Sequence, residues 1–464
     1  MRRRDFIKRA AGGAGIPWSR ALGARSVLGA NERVNMGLIG CGGRGQYVAG
    51  LMRRVPNVEF VAVADVHMDR ATEAKTWFAP DCQPGGPGCR AFQDFRKLLE
   101  QKDVDAVLIA TPDHWHAVAT ILACQAEKDV YVEKPLAYTI KEGRAMVDAA
   151  RRYRRVVEAG MQHRSAAHFR EVARIIQSGA LGRVHFVRVW NYLNMSPDGI
   201  GRAPDSAPPP GLDWDFYLGP APAVPFNKNR YAVTYRWFWD YAGGMTTDYG
   251  THRFDTVHEV MGVDAPLAVA GWGHRYELRD GADTPDTLQI TYEYPGFILT
   301  YEASMLNGHG LGGRTPGMSY YLTRADDDRP HGMAFYGTNG TLYADRIGFE
   351  VYPEPQGESG PGAWNAAGTP HEEFRMERQS GMEKDATALH AQNFIECVRS
   401  RQKPAADVEI GHRSAIVPHL GNIAIRTGHK LRWDSVKEEI VGDPAASAYL
   451  ARKARMPWDQ ILKS

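Results

Sequence analysis

The first third of the chain alternates short apolar runs with stretches that have the apolar spacing of helices. The runs lie at 36–39, 58–64, 104–110, 130–132 and 156–159. Near-continuous apolar runs of this length are typical of strands that are buried on both faces of a parallel sheet. Because these runs alternate with helical segments, the pattern predicts an α/β domain with a doubly wound parallel sheet over residues 31–160.

Beyond about residue 166 the pattern changes to half-exposed strands with few helices between them. Strand-like runs occur at 184–192, 267–272, 287–294, 297–303, 333–336 and 341–344, and late helices at 390–399 and 412–427. This predicts an α+β domain with an open, mostly antiparallel sheet over 161–430, and a tail, 431–464, that packs on the domains. The second face of such a sheet needs a cover, which we expect from its own helices or from a second copy in a homo-oligomer.

A glycine turn joins the first two apolar runs. Gly40-x-Gly42-x-x-Gly45 follows the first run, a helical pattern comes next, and the second run ends at Asp65, 25 positions after Gly40. A lone G-x-G-x-x-G is also compatible with a purely structural turn, but the strand, helix and terminal acid together favour a dinucleotide-binding Rossmann unit. The carboxylate favours NAD over NADP, whose 2′-phosphate it repels, although Arg44 and Arg70 nearby leave NADP open.

Composition excludes several classes of function. The chain has 464 residues, with 56 Lys and Arg against 54 Asp and Glu. A nearly neutral balance lacks the basic field that nucleic acid requires, and no apolar run reaches the roughly 18 residues of a membrane span. These features predict a globular protein that acts on a small molecule.

The N-terminus has a different character. Residues 1–8 read MRRRDFIK and resemble a twin-arginine export signal, although the apolar core that follows is short and interrupted by Pro17, Arg20 and Arg25. We expect residues 1–30 to direct the protein through the twin-arginine machinery to the periplasm or outside the cell. The alternative is a basic tail on a cytoplasmic protein.

The five cysteines contain no CxxC pair, so we expect no zinc site and no metal. Cys82 and Cys89 share the loop CQPGGPGC. In an exported protein they form either a disulfide or two free thiols, and spacing alone does not decide between these.

Lys134 is the first candidate for chemistry. It lies in Glu133-Lys134-Pro135, directly after the apolar run 130–132. Ligands bind at the carboxyl ends of strands in such sheets, so this amine is placed to stabilise a substrate alkoxide. An ordinary solvated lysine at a strand end is the competing interpretation.

Asp248 and His252 are the second candidate. Thr246, Thr247 and Asp248 are good N-cap types, so we expect a helix to begin here with Asp248 and His252 on one face. A carboxylate beside an imidazole orients the ring and raises its basicity, which suits a general base. A capping aspartate and an unrelated helix histidine are equally compatible with the spacing.

Together, the glycine turn, Asp65, TPDHWH (111–116), Glu133-Lys134-Pro135 and Asp248-x-x-x-His252 resemble the Gfo/Idh/MocA oxidoreductases. The likeness covers essentially the whole chain after residue 31. It implies a Rossmann domain followed by an open-sheet domain that often mediates oligomerisation. It also implies that Lys134, Asp248 and His252 are catalytic. The expected NAD site, with the cofactor held tightly, comprises Gly40, Gly42, Gly43, Arg44, Gly45, Asp65, Thr111, Pro112, His116, Glu133, Lys134 and Gln162.

The resemblance implies an NAD-dependent oxidation of a carbohydrate ring hydroxyl. His163, Arg164, Tyr192, Trp237 and Tyr249 are candidates for the sugar site, because aromatic rings stack on sugar C–H faces, although most such rings serve in cores. One alternative is an NAD-dependent glycosidase of the α-N-acetylgalactosaminidase kind, which uses the same cofactor and base. A non-catalytic dinucleotide sensor is a third possibility, but the three catalytic candidates are all present.

Overall fold

In a computed structural model, residues 33–79, 88–308, 329–356, 373–382 and 385–463 are described. The predicted export signal and Cys82 of the suggested disulfide lie outside these ranges. Among the described residues no helix is long and apolar enough to cross a membrane. They also contain no group of three or more His, Cys, Asp or Glu that is arranged to hold a metal ion.

The N-terminal half contains a parallel sheet of six strands in the order β3-β2-β1-β4-β5-β6. Its central strands are fully buried, as their continuous apolar runs predict, and Met36 of β1 pairs with Ala106 of β4. The strand order is that of a Rossmann fold, so the predicted α/β class is confirmed. The strands are β1 Val34–Ile39, β2 Val58–Ala64, β3 Arg90–Phe92, β4 Ala106–Ile109, β5 Asp129–Val132 and β6 Val157–Ala159.

Helices cover both faces of this sheet. Phe394 and Ile395, from a helix near the C-terminus of the chain, pack with Val48 and Met52 against one face, so the late part of the chain returns to the first sheet. The helices of this half are Gly43–Met52, Met68–Phe78, Phe95–Leu99, Asp113–Gln125 and Ile140–Arg152, and the returning helix is Thr387–Ser400.

The second sheet has ten strands and is antiparallel except where β7 pairs with β10, which confirms the predicted open sheet. The prediction did not include β13, β14, β15 and β16, the last two of which extend the sheet into the predicted tail. The strands are β7 Phe186–Tyr192, β8 Ala268–His274, β9 Thr287–Tyr294, β10 Phe297–Ser304, β11 His331–Tyr336, β12 Gly340–Ala344, β13 Gly348–Pro353, β14 Ser380–Met382, β15 Leu431–Asp434 and β16 Glu439–Ile440.

One face of this sheet carries the core of the second half. Leu288, Ile290 and Tyr292 alternate with more exposed residues along β9 and point toward helices, as the period of a strand requires. The other face leaves Trp272 and Ile298 exposed. The covering helices are Ala167–Gln177, Thr251–Met261 and Val408–Thr427; shorter helices are Trp214–Leu218, Pro444–Ser447 and Trp458–Ile461.

Residues 193–241 contain little regular structure and fold back over the carboxyl edge of the first sheet. We call residues 211–236 the covering segment. Its backbone bonds residues that follow two strands of that sheet. Asp213 N donates to Val66 O (2.9 Å) after β2, and Trp115 Nε1, in the helix after β4, donates to Tyr217 O (2.8 Å). This arrangement encloses a cavity between the edge of the first sheet and the second half of the chain.

Candidate active site

The cavity has a volume of about 660 Å³ and lies at the carboxyl ends of the parallel strands of the first sheet. Gly40, Thr111, Lys134 and Gln162 each follow one of these strands and line it. They converge because the carboxyl ends of parallel strands share one edge of the sheet. The covering segment closes the opposite side with Tyr217, Tyr231 and Tyr235, among others.

The glycine turn forms one wall of the cavity, and its positions require glycine for different physical reasons. Gly40 has a φ of +92°, and a Cβ there would lie 2.7 Å from the carbonyl carbon of Ala110. A Cβ on Gly45 would lie 2.2 Å from Gly40 O, so this residue lets the helix pack on the turn. By contrast, nothing lies within 4 Å of a Cβ on Gly42 or Gly43. These two residues therefore present open backbone at the start of the helix Gly43–Met52.

Asp65 is held rigidly at the end of β2. Its Oδ2 accepts a hydrogen bond from Cys41 N (2.8 Å) and its Oδ1 accepts one from His67 N (2.9 Å). Burial raises the pKa of this carboxyl group, and the two N–H donors oppose that rise. Arg70 lies beside it, with its guanidinium 4.9 Å from the centre of the Tyr231 ring. An acid and an arginine thus line the same end of the cavity.

At the other end, Lys134 and Arg236 share one carboxylate. Lys134 Nζ lies 2.6 Å from Asp248 Oδ1 and 2.6 Å from the Asp248 carbonyl oxygen, and Arg236 Nε lies 3.0 Å from Oδ2. Burial alone would raise the pKa of Asp248, but the two cations lower it to about 2. The aspartate is therefore ionised and fixes the position of the lysine amine.

The helix that carries Asp248 differs from the prediction. It begins at residue 244, before Asp248, and its second turn, Thr246–Gly250, is π-helical before the α-helix Thr251–Met261. Asp248 is therefore not a cap. Nor does it orient His252, because both of its oxygens face cations and His252 Nδ1 is buried without a hydrogen-bond partner. A widened turn at a cavity is a recurrent feature of functional sites.

His252 is held by stacking instead. Its ring lies 5.1 Å from the ring of His163, centre to centre, with 30° between the planes. His163 Nδ1 lies 2.9 Å from Thr256 Oγ1. Burial, and then the charges of Lys134 and Arg346, lower the pKa of His252 well below its usual value. The imidazole is therefore neutral near pH 7, as a proton acceptor must be.

Several residues predicted for the substrate site lie elsewhere. His163 lies behind His252, and Arg164 is paired with the buried Asp255 (2.8 Å). Trp237 belongs to the core of the second half, and Tyr192 lies at the end of β7; neither lines the cavity. These side chains serve in core packing or in a buried ion pair. Only Tyr249 of this group faces the cavity.

The residues predicted around the cofactor all line the cavity except Gly45, which packs against the glycine turn, and His116. Its ring bonds Pro135 O (2.7 Å) and Thr111 O (3.0 Å), so it joins two loops at the sheet edge from behind. Glu133 lines the cavity and pairs with Arg44 at 2.8 Å. His116 thus positions the two loops. It does not line the cavity because its side chain is buried on the helix Asp113–Gln125.

Sequence reasoning missed Phe216, Tyr217 and Arg346, which also line the cavity. Phe216 and Tyr217 lie in the run WDFYL, about 170 positions after the glycine turn. Nothing in the sequence indicates that this run contacts the turn. Tyr235, within an aromatic region that the sequence does indicate, donates from its hydroxyl to Asp113 Oδ1 (2.8 Å).

Comparison with known proteins identifies the family. Residues 34–161 match the Gfo/Idh/MocA oxidoreductase family, described as an NAD-binding Rossmann fold, and residues 166–294 and 377–460 match its C-terminal α/β domain. The chain belongs to the Gfo/Idh/MocA oxidoreductase family. It is therefore an enzyme of the NAD-binding oxidoreductase kind.

The individual relatives of this Gfo/Idh/MocA protein have low sequence identity to it. Myo-inositol 2-dehydrogenase of Thermotoga maritima is 23% identical over 413 residues, which is 88% of this chain and 100% of that protein. The WlbA dehydrogenase of Bordetella pertussis, solved with NADH and UDP-GlcNAcA, superposes with a TM-score of 0.60 at 19% identity, covering 87% of this chain and 99% of that one. Levoglucosan dehydrogenase, solved with NADH and levoglucosan, has the same TM-score and identity and covers 86% and 99%. These two structures show the shared fold.

The cavity of this family member fits NAD. Gly42 and Gly43 leave backbone open at a helix N-terminus whose N-cap has no side-chain hydrogen bond, which is the arrangement that receives a pyrophosphate. Asp65 faces the end at which an adenosine ribose would lie. The residues that would hold NAD are therefore the glycine turn and Asp65, with Lys134 at the nicotinamide end.

Asp65 provides a test of cofactor choice. Replacing it by asparagine removes the charge that repels a 2′-phosphate and weakens the hydrogen bonds to the ribose. We expect Asp65→Asn to bind NAD roughly 10- to 100-fold more weakly, the range for a charged hydrogen bond, and to bind NADP better relative to NAD. Fluorescence titration with both cofactors measures this. Glu59→Gln, on β2 but outside the cavity, serves as the control; equal NAD affinity in Asp65→Asn and wild type would contradict the assignment.

Proposed function

We propose that this protein oxidises a ring hydroxyl of a sugar, glycoside or polyol with NAD. The observation that carries the proposal is the arrangement at one end of the cavity, where a fixed lysine amine and a neutral histidine face the same space. Bound NAD supplies the hydride acceptor. The following steps belong to residues of this chain.

His252 takes the proton of the substrate hydroxyl. Its Nδ1 is buried, so the transfer uses Nε2 of the ring that lines the cavity. Lys134 donates a hydrogen bond to the same oxygen and stabilises the negative charge that develops on it. Asp248 and Arg236 do not touch the reacting atoms in this scheme. They hold the lysine amine, and with it the position of the hydroxyl.

The carbohydrate class is supported by two kinds of observation. Similar proteins include myo-inositol 2-dehydrogenase and levoglucosan dehydrogenase. In addition, Tyr235 and Tyr249 line the cavity near Asp248, and aromatic rings of this kind pack against the C–H faces of sugars.

The experiment is a substrate panel on the purified protein. Mass spectrometry first identifies any nicotinamide cofactor released by denaturation, and sugars, glycosides and polyols are then screened by NADH absorbance. We expect NAD in the protein and NADH formation with a member of the panel. Nitrophenyl glycosides without added NAD form a second arm, and nitrophenol release without net NADH would replace the dehydrogenase with the glycosidase alternative.

Tight cofactor binding, export and homo-oligomerisation stay predictions. We propose that the covering segment slows cofactor release, because it bonds residues that follow β2 and β4 at the cavity edge. Export through the twin-arginine machinery depends on residues 1–30. Homo-oligomerisation would use the face of the second sheet that exposes Trp272 and Ile298.

A further inference from the structure

The substrate end of the cavity carries an excess of positive charge. Lys134 and Arg236 both contact Asp248, which supplies one negative charge between two positive ones. Arg346 lines the same space and adds a third cation. Glu133, the next acid along the wall, is already paired with Arg44. The buried Asp113 also acts on Lys134 and Arg236. The three cations therefore outnumber the two nearby carboxyl groups, Asp248 and Asp113, by one.

Arg346 is presented by a rigid turn. It lies in the hairpin between β12 and β13, directly after the buried Asp345. The Oδ1 of Asp345 accepts hydrogen bonds from Ile347 N (2.8 Å) and Gly348 N (3.3 Å), which fixes the backbone on both sides of the arginine. Asp345 also faces Arg329, with 3.5 Å between Oδ2 and Nε. The turn thus has its own stabilising groups and does not require Arg346 for them.

Arg346 itself has no partner in the described parts of the chain. Its Nε is buried without a hydrogen bond, and no carboxylate of those parts lies within ion-pair distance of its guanidinium. The other arginines of the cavity differ, since Arg44 and Arg236 contact carboxylates and Arg70 lies over the Tyr231 ring. A partly buried guanidinium without an anion is costly, and an anionic ligand would relieve that cost.

We propose that the substrate of this enzyme is a sugar acid whose carboxylate binds Arg346. The inference rests on the proposed function and narrows its substrate class. A guanidinium presents paired N–H donors that match both oxygens of a carboxylate, and the surplus positive charge of the cavity favours such a group. Neutral sugars of the same shape would leave Arg346 without a partner, so the residue discriminates between the two classes.

The test uses the NAD-loaded enzyme and matched pairs of neutral and acidic sugars. The pairs are D-glucose with D-glucuronate, D-galactose with D-galacturonate, and methyl β-glucoside with methyl β-glucuronide. Turnover is followed by NADH absorbance, and binding by thermal shift where turnover is absent. We expect the acid of at least one pair to have a kcat/KM, or an affinity, about 10-fold or more above that of its neutral partner.

Three variants locate the effect. Arg346→Gln should raise KM for the acid by about 10-fold or more, and by much more than it changes KM for the neutral partner. Arg346→Lys keeps the positive charge but lacks the paired N–H donors of the guanidinium. It should therefore recover part of the lost affinity for the acid. Arg432→Gln removes an exposed arginine on β15, far from the cavity, and should behave as wild type.

Three outcomes would overturn the proposal. They are a panel in which no acid binds better than its neutral partner, an Arg346→Gln variant that changes both members alike, and an Arg432→Gln variant with the same loss. The first of these outcomes, combined with Lys134-dependent oxidation of neutral sugars, would reject this inference and leave the proposed function standing. Failure to bind NAD at all would reject the proposed function itself.

Discussion

Lys134→Met will lower kcat by about 10³-fold with the cofactor still bound, because methionine keeps the length of the side chain and removes the charge that stabilises the developing alkoxide. Asp248 remains paired with Arg236 in this variant, so we expect the cavity to keep its shape. His252→Asn removes the proton acceptor and should cost about 10²- to 10⁴-fold. Both losses are measured as kcat and kcat/KM on the substrate that the panel identifies.

Matched controls separate chemistry from folding. Lys141→Met removes an exposed lysine outside the cavity and should keep full activity. NAD affinity and thermal stability of Lys134→Met should lie close to those of wild type. Activity of Lys134→Met within a few-fold of wild type would contradict the role assigned to this amine.

Acid will destabilise the protein below pH 6.5 by a large amount. Burial lowers the pKa of His114 and His258 to about 3, of His390 and His419 to about 4, and of three further histidines well below 6.5. Each histidine takes up its proton on unfolding once the pH is below the unfolded pKa of about 6.5. The destabilisation is absent above that pH and grows as the pH falls toward the folded pKa. Each of these histidines lowers the free energy of unfolding by about 1 kcal/mol between pH 6.5 and 5.5.

Buried acids oppose this effect but do not cancel it. Burial raises the pKa of Glu259 to about 7 and that of Glu158 well above its usual value. These two groups are protonated first in the folded state, which offsets roughly 2 to 3 kcal/mol over the same interval. Seven histidines outweigh two acids, so we expect the free energy of unfolding to fall by about 4 kcal/mol from pH 6.5 to 5.5.

Urea titrations at several pH values, followed by fluorescence and circular dichroism, measure this dependence. His258→Gln keeps a hydrogen-bonding partner for the Tyr294 hydroxyl and should reduce the loss by about 1 kcal/mol. His274→Gln, at an exposed position, should leave the dependence unchanged. Stability that is constant or rising as the pH falls below 6.5 would refute the prediction.

The sequence predicts the first half of the fold well because its strands are buried on both faces. The apolar residues of runs such as Val58–Ala64 are nearly continuous, which is the pattern of a buried strand. Gly40 and Asp65 mark where two of these strands end. Strands β13 to β16 were not predicted, because short strands with mixed faces resemble loops. The position of Lys134 at the carboxyl edge follows from topology, whereas the resemblance to the family adds Thr111 and Gln162 to the same site.

Details of the site that depend on distant contacts were not predictable. The spacing of Asp248 and His252 indicated a pair on one helix face, but the π-helical turn and the cations on Asp248 separate them. His116 carries the polar character of a ligand-binding residue, yet it bonds two backbone carbonyls. Arg346 gave no signal, because only the folded hairpin brings it to the catalytic residues.

The central claim is that a hydride passes from the substrate carbon to NAD while His252 takes the hydroxyl proton and Lys134 stabilises the oxygen. One measurement tests it most directly. A sugar or polyol substrate labelled with deuterium at the oxidised carbon is incubated with the enzyme and NAD, and the nicotinamide product is analysed by mass spectrometry. We predict that deuterium appears in the reduced nicotinamide with wild type and at a rate about 10³-fold lower with Lys134→Met. Oxidation of the substrate without deuterium in the nicotinamide, or equal rates in both proteins, would contradict the account.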